Sequence, residues 1–256
     1  MNSMVRAALL VGVSLLVSAC GKKGPLIYPD MLIPAAPSSI TAGQSGTAVK
    51  LQFALPDKDR AGRAVKGLAG VKVTRKTVDG DLKDVCHSCT ADYQLYRTIY
   101  LDSLPSDTQR WAGSLILLDS DVRVGTSYSY RVVPFTVDGV DGAMSPVSDV
   151  KISAPLPAPQ LTIEAFPTEL KLTISSQQLL SGHLLGYNIY RTVTASRWSY
   201  QPLNKEPLKG NEYSDSRLER GVLYRYAVRS LIGLESGVSV ESAESGAVEG
   251  MLKDDE

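Results

Sequence analysis

Along most of the chain, apolar residues recur at every second position. Val49, Leu51, Phe53 and Leu55 alternate with polar or small residues until Pro56 ends the run, and Leu170, Leu172 and Ile174 do the same in the second half. A period of two places successive side chains on opposite faces, so these runs predict half-buried strands. Residues 70–75 and 186–191 supply a third strand in each half, and 119–132 and 215–228 a turn followed by a later strand. The last two stretches align without a gap at a constant offset of 96, sharing Asp119/Asp215, Ser120/Ser216, Gly125/Gly221, Tyr128/Tyr224, Tyr130/Tyr226 and Val132/Val228. Such self-similarity predicts a repeated domain. Between the halves, Ala154-Pro155-Leu156-Pro157-Ala158-Pro159 reads as a short, stiff linker.

The amino terminus breaks this pattern. Arg6 is followed by an apolar run from Ala7 to Val17. About eleven apolar residues are too few to cross a bilayer, which needs about twenty, so residues 1–19 predict a secretory leader. Its end, Val17-Ser18-Ala19-Cys20, resembles the bacterial lipobox. That resemblance implies lipidation of Cys20, with acyl chains such as palmitate, and cleavage just before it. One acyl chain holds a membrane marginally and two or more hold it stably. Lys22 and Lys23 would then lie beside the headgroups, and Gly21 looks like an address for the outer membrane of a two-membrane bacterium. The run 20–26 with Tyr28-Pro29 also resembles the opening of small lipoproteins associated with lipopolysaccharide assembly, over about ten residues. Gly24 to Ser39 is rich in Pro, Ala and Ser and reads as an extended tether. About fifteen residues at about 3.1 Å each reach about 45 Å.

The repeated segments reach a second family. "VRVGTSYSYRV" and "LERGVLYRYAV" resemble the sixth strand of fibronectin type III domains with the turn before it, and "GYNIYR" resembles the third strand. The resemblance implies an all-β fold of two tandem immunoglobulin-like sandwiches. It also implies a tyrosine corner at Tyr128 and at Tyr224, whose hydroxyls bond nearby backbone. Where the family carries a core Trp in its second strand, this chain has Phe53 and Ile174. The resulting plan is a leader over 1–19, a lipidated cysteine and tether over 20–34, a first sandwich over 35–154 and a linker over 155–159. A second sandwich follows over 160–250, then a frayed, charged tail over 251–256.

Charge narrows the function. Lys plus Arg is 27 and Asp plus Glu is 27, for a formal net charge of zero, which argues against a nucleic-acid partner. The acidic pairs Asp119/Asp121 and Glu241/Glu244 read as solvated surface. With His87 and His183 as the two histidines, no hydrolase constellation, phosphate loop or metal-ligand pair emerges. His183 reads as a solvent-facing loop residue. The sequence therefore predicts no enzyme, no catalytic residue, no metal and no cofactor.

The halves differ in one place. From Arg75 to Asp119 the first half is about twenty residues longer than the matching stretch from Arg191 to Asp215, and the excess holds Cys86-His87-Ser88-Cys89. In an oxidising compartment a Cys86–Cys89 disulfide pinning the insertion is the favoured reading. Thiol–disulfide exchange, a metal or haem site and two free thiols are the others. Trp198 and Tyr200 follow the third strand of the second half, and Trp111 ends the insertion. They are candidate binding residues that would stack on a glycan or anchor a protein partner, with folding back over the sandwich edge as the structural alternative. The expectation is an outer-membrane lipoprotein, held by membrane lipid through Cys20, that binds or scaffolds an envelope protein or glycan. Envelope assembly is the alternative, and a carbohydrate-binding accessory role the second.

Overall fold

A computed structural model describes residues 28–78, 89–179 and 181–254. Among these residues the regular structure is strands and two short 3-10 turns. The first half contributes β1 (Ser38–Ser45), β2 (Ala48–Ala54), β3 (Leu68–Val78), β4 (Gln94–Tyr100), β5 (Thr108–Trp111), β6 (Ser114–Asp119), β7 (Ser127–Thr136) and β8 (Ser148–Lys151). The second contributes β9 (Gln160–Ala165), β10 (Leu170–Ser175), β11 (His183–Val193), β12 (Glu212–Asp215), β13 (Tyr224–Gly233), β14 (Ser239–Glu241) and β15 (Val248–Gly250). In the first sandwich β1-β2-β6-β5 faces β4-β3-β7-β8; in the second β9-β10-β12 faces β11-β13, with β14 and β15 both paired to β13. The first sandwich has the three-on-four strand order of a fibronectin type III domain, with β5 added to its edge; the second is three-on-three among the described residues, because β14 and β15 form one split edge strand beside β13 and no strand stands in the place of β4.

The alternation read from the sequence fills two separate cores. Val49, Leu51 and Phe53 of β2 meet Val71, Val73, Tyr130 and Val132. Leu170, Leu172 and Ile174 of β10 meet Ile189, Tyr226 and Val228. Each fully buried large aliphatic or Phe side chain contributes about 1.5–3 kcal/mol relative to exposure. Phe53 and Ile174 are both sealed in these cores, so smaller apolar groups fill the place of the family's tryptophan.

The shared Asp and Tyr positions form the same constellation twice. The Tyr128 hydroxyl accepts the Arg123 N–H at 2.9 Å, and the Tyr224 hydroxyl accepts the Glu219 N–H at 3.0 Å. Two residues on, Tyr130 donates to Asp119 Oδ2 at 2.7 Å and Tyr226 to Asp215 Oδ2 at 2.9 Å. Arg75 and Arg191 each donate to those carboxylates at 2.7 Å and lie over the rings of Tyr128 and Tyr224. Asp119 is therefore fully buried, not solvated surface as its sequence context suggests; Asp121 alone of that pair is exposed. Burial, reinforced by the adjoining carboxylate, pushes the Tyr130 and Tyr226 hydroxyls far above the ordinary tyrosine range. Gly70 and Gly186 open the matching third strands at β-bulges. A Cβ on Gly70 would lie 2.2 Å from the Ile99 carbonyl oxygen, so only glycine fits.

Two expectations about the connecting segments are corrected. The tether does not extend to Ser39: residues 29–34 run along the 55–67 loop. Arg60 N–H donates to Ile33 O at 3.1 Å, Ala61 N–H to Met31 O at 2.9 Å and Ala35 N–H to Lys58 O at 2.9 Å. These backbone bonds replace solvent and shorten the reach. The tail is not frayed from residue 251, because Leu252 is buried in the second core and Lys253 N–H donates to Phe166 O at 3.1 Å. The proline linker is tied down as well. Ala243 N–H donates to Leu156 O at 2.9 Å, and the buried Gln44 amide pairs with Ser153, accepting its N–H at 3.0 Å and donating to its carbonyl at 2.9 Å.

Candidate functional site

The two sandwiches meet through side chains that the strand pattern leaves facing away from the first core. Lys50 alternates with the buried Val49 and Leu51 of β2, and Gln109 lies on the added edge strand β5. Opposite them, β1 and β14 pair in parallel at Ser45 and Glu241, so β11-β13-β14-β1-β2-β6-β5 is one continuous sheet through both sandwiches.

Glu241 is the polar centre of this junction. Its carboxylate is buried and accepts Lys50 Nζ at 3.1 Å, Asn188 Nδ2 at 2.6 Å and the Tyr190 hydroxyl. Burial alone would raise its pKa. The Lys50 charge, with hydrogen bonds from Ser45, Tyr190 and Asn188, outweighs that and holds it below the ordinary carboxylate value. Tyr190 moves the other way: burial, then the adjoining Glu241 charge, keeps its hydroxyl protonated far above the usual range. The expectation that Glu241 and Glu244 are both solvated is thus corrected; Glu244 is exposed and Glu241 is locked. A carboxylate saturated by four donors serves as a fixed structural charge.

Trp198 and Tyr200 close the other side of the junction. The Gln109 amide donates to Trp198 O at 2.5 Å and accepts the Tyr200 N–H at 2.8 Å, and the Tyr200 hydroxyl donates to Ser106 O at 2.9 Å. Arg225 lies 5.3 Å over the Trp198 ring. Both residues are half-buried. The Trp198 ring folds back over Arg225 of β13 in its own sandwich, while its carbonyl and the Tyr200 N–H and hydroxyl dock on the neighbouring sandwich. A cleft of about 190 Å³ remains between these two residues, Lys50, Tyr190, Arg229 and Glu244. A second, more apolar trough of about 420 Å³ crosses the junction between Val124, Val150 and Ile152 on one side and Leu234, Val238 and Val240 on the other.

The remaining predicted residues lie apart. Trp111 is 51% exposed at the tip of the β5–β6 hairpin, whose two-residue turn, Ala112-Gly113, has both φ angles positive. His183 is exposed at the start of β11. Cys89 is exposed beside the 90–92 turn; Cys86 and Cys20 lie outside the described residues. The extra length of the first half is spent on the β3–β4 connection, β4 and β5, whereas the matching 194–211 stretch of the second half forms no regular strand. Lys50 and Gln109, which carry the junction with Glu241, escaped the sequence reading, whereas Glu241 was read as solvated surface. A lone Gln or Lys on a strand looks like ordinary surface; only the buried continuation of the polar β1 end marks it.

No known family profile matches the chain. Among solved structures it is similar to the FN1–FN3 domains of chicken CNTN1, at 15% identity over 87% of this chain and 68% of that one, with a TM-score of 0.33. The fibronectin type III fold is read from the strand order and the paired tyrosine corners described above.

Proposed function

We propose that the protein is a lipid-anchored, non-catalytic binding or scaffolding module of the bacterial cell envelope, held in the outer membrane by acyl chains on Cys20. The observation that carries this reading is the short apolar leader ending in Val17-Ser18-Ala19-Cys20. Two-dimensional confinement by the anchor would raise the local concentration of the sandwiches near membrane partners. The locked junction supports a binding role, because a partner spanning both sandwiches meets a surface already ordered. We also propose that Cys86 and Cys89, close in sequence, are bridged in an oxidising compartment. Intact mass before and after alkylation tests this; alkylation of both without reduction removes it.

The experiment for the main reading is labelling with radioactive fatty acid, followed by fractionation and pull-down from membranes, for wild type and Cys20→Ser. Label and membrane recovery that vanish in the variant are expected. An unlabelled wild-type chain in the soluble fraction overturns the reading.

A further inference from the structure

We propose that the end of the first sandwich where the chain enters is a bilayer-contacting face, seated in the lipid interface by Tyr28, Leu32, Tyr100, Trp111, Val137 and Val140. This rests on the acylation of Cys20 proposed above. The six side chains are 46–71% exposed, and they come from segments that touch one another. Residues 29–34, with Leu32, lie along the 55–67 loop. Leu55 N–H donates to Gly113 O at 3.1 Å, which sets the Trp111 hairpin tip beside that loop, and Val137 N–H donates to Gly67 O at 2.8 Å at its other end. Ala143 N–H donates to Pro34 O at 2.8 Å, drawing in the turn that carries Val140, and Tyr100 packs edge-on against Phe135 at 5.5 Å. Exposed apolar side chains scattered singly need no explanation, but six gathered on one end do.

The occupant follows from covalent geometry. Eight peptide units separate Cys20 from Tyr28, and at about 3.5 Å each they span at most about 28 Å. An acylated Cys20 therefore keeps this end near the headgroups. Trp and Tyr are the residues that settle at a membrane–water interface, where an apolar ring and a polar atom are both satisfied. Charge is not the attraction: Lys58, Arg60, Arg63 and Lys66 are offset by Asp57, Asp59, Asp138 and Asp141, and Arg63 is paired to Asp59 at 3.0 Å. Contact should therefore form on zwitterionic lipid and persist in salt.

The test uses the full acylated chain in phosphatidylcholine vesicles containing bromine-labelled acyl chains. The chain has two tryptophans, so Trp198→Phe leaves Trp111 as the reporter; if that variant folds poorly, the difference between wild type and Trp111→Phe gives the same signal. The expected result is a blue-shifted Trp111 emission quenched by the brominated lipid, unchanged at high salt. A labelled, floating chain whose Trp111 emits as in water overturns the face and leaves the anchor standing. Quenching only with anionic lipid and low salt also overturns it, in favour of electrostatic docking. A chain that neither takes label nor floats overturns the anchor, and with it the ground for a bilayer at this end.

Discussion

Glu241→Gln tests whether the junction is a lock. The substitution keeps shape and hydrogen-bonding reach but removes the charge that meets Lys50 across the two sandwiches. The side chains of Lys50 and Glu241 are 21% and 5% exposed. Removing one member of a fully buried pair costs about 3–5 kcal/mol. Lys50 keeps some water, so the cost expected here is lower, about 2 kcal/mol at pH 7, or roughly thirtyfold in the folding equilibrium. Urea unfolding of the second sandwich, followed by Trp198 fluorescence in a Trp111→Phe background, measures it. The pH dependence is the sharper part. The folded carboxyl has its pKa below the ordinary glutamate value of 4.5, so between the two values the native state binds fewer protons than the unfolded one. Its contribution is complete above the unfolded pKa and is lost as pH falls through the folded one. Wild type and variant should therefore differ fully at neutral pH and converge in acid, where a protonated Glu241 resembles Gln. A difference below about 0.5 kcal/mol at pH 7, the size of an ordinary surface change, or one that stays constant into acid, refutes the lock.

Three further outcomes follow from the same contacts. Tyr128→Phe and Tyr224→Phe should each cost about 1 kcal/mol, and Tyr130→Phe and Tyr226→Phe about 2, because the latter two lose a bond to a charged, buried carboxylate; chemical denaturation of the four variants gives the ranking. Tyr130, Tyr190 and Tyr226 have folded pKa values raised above 10.0, so above pH 10 the unfolded chain loses protons that the folded chain keeps. Stability should fall there by about 1.4 kcal/mol per pH unit for each, and the phenolate absorbance of these residues should appear only with unfolding. Gly70→Ala forces a Cβ to within 2.2 Å of the Ile99 carbonyl oxygen and 2.6 Å of the Phe135 ring, for a loss of about 3 kcal/mol in thermal or urea melts.

What could be read in advance was what repeats locally. Alternation in β2 and β10 fixes which face is buried, and the offset of 96 carries the Asp–Tyr pairs that both cores reuse. The junction was not legible because its chemistry is assembled across distance. Lys50 and Glu241 are 191 positions apart and Gln109 and Trp198 are 89 apart, and no periodic signal links such residues. The same gap misplaced the acidic pairs. Asp119 and Glu241 look like their neighbours Asp121 and Glu244 until the fold supplies Arg75 to one and Lys50 to the other. The tether was overestimated for a related reason: proline-rich composition describes local stiffness, whereas the docking of 29–34 depends on the backbone of a loop about thirty residues away.

The junction changes what two sandwiches in tandem can do. Joined by a bare linker, they would sample many mutual angles, and a partner touching both would have to select one. Here three separate ties fix the angle: the Gly46 backbone amide on the Glu241 carbonyl at 3.0 Å, the Lys50–Glu241 side-chain pair within a continuous sheet, and the Gln109 amide on the Trp198–Tyr200 backbone. These ties differ in chemistry. The two amide pairs are neutral and indifferent to pH, while the ion pair holds only while Glu241 is ionised. Acid should thus weaken one tie of three, loosening the angle without unfolding either core. A partner bound across the trough between Val124 and Val238 would then lose affinity in acid, while one bound to a single sandwich would not, and that contrast separates a composite surface from two independent ones.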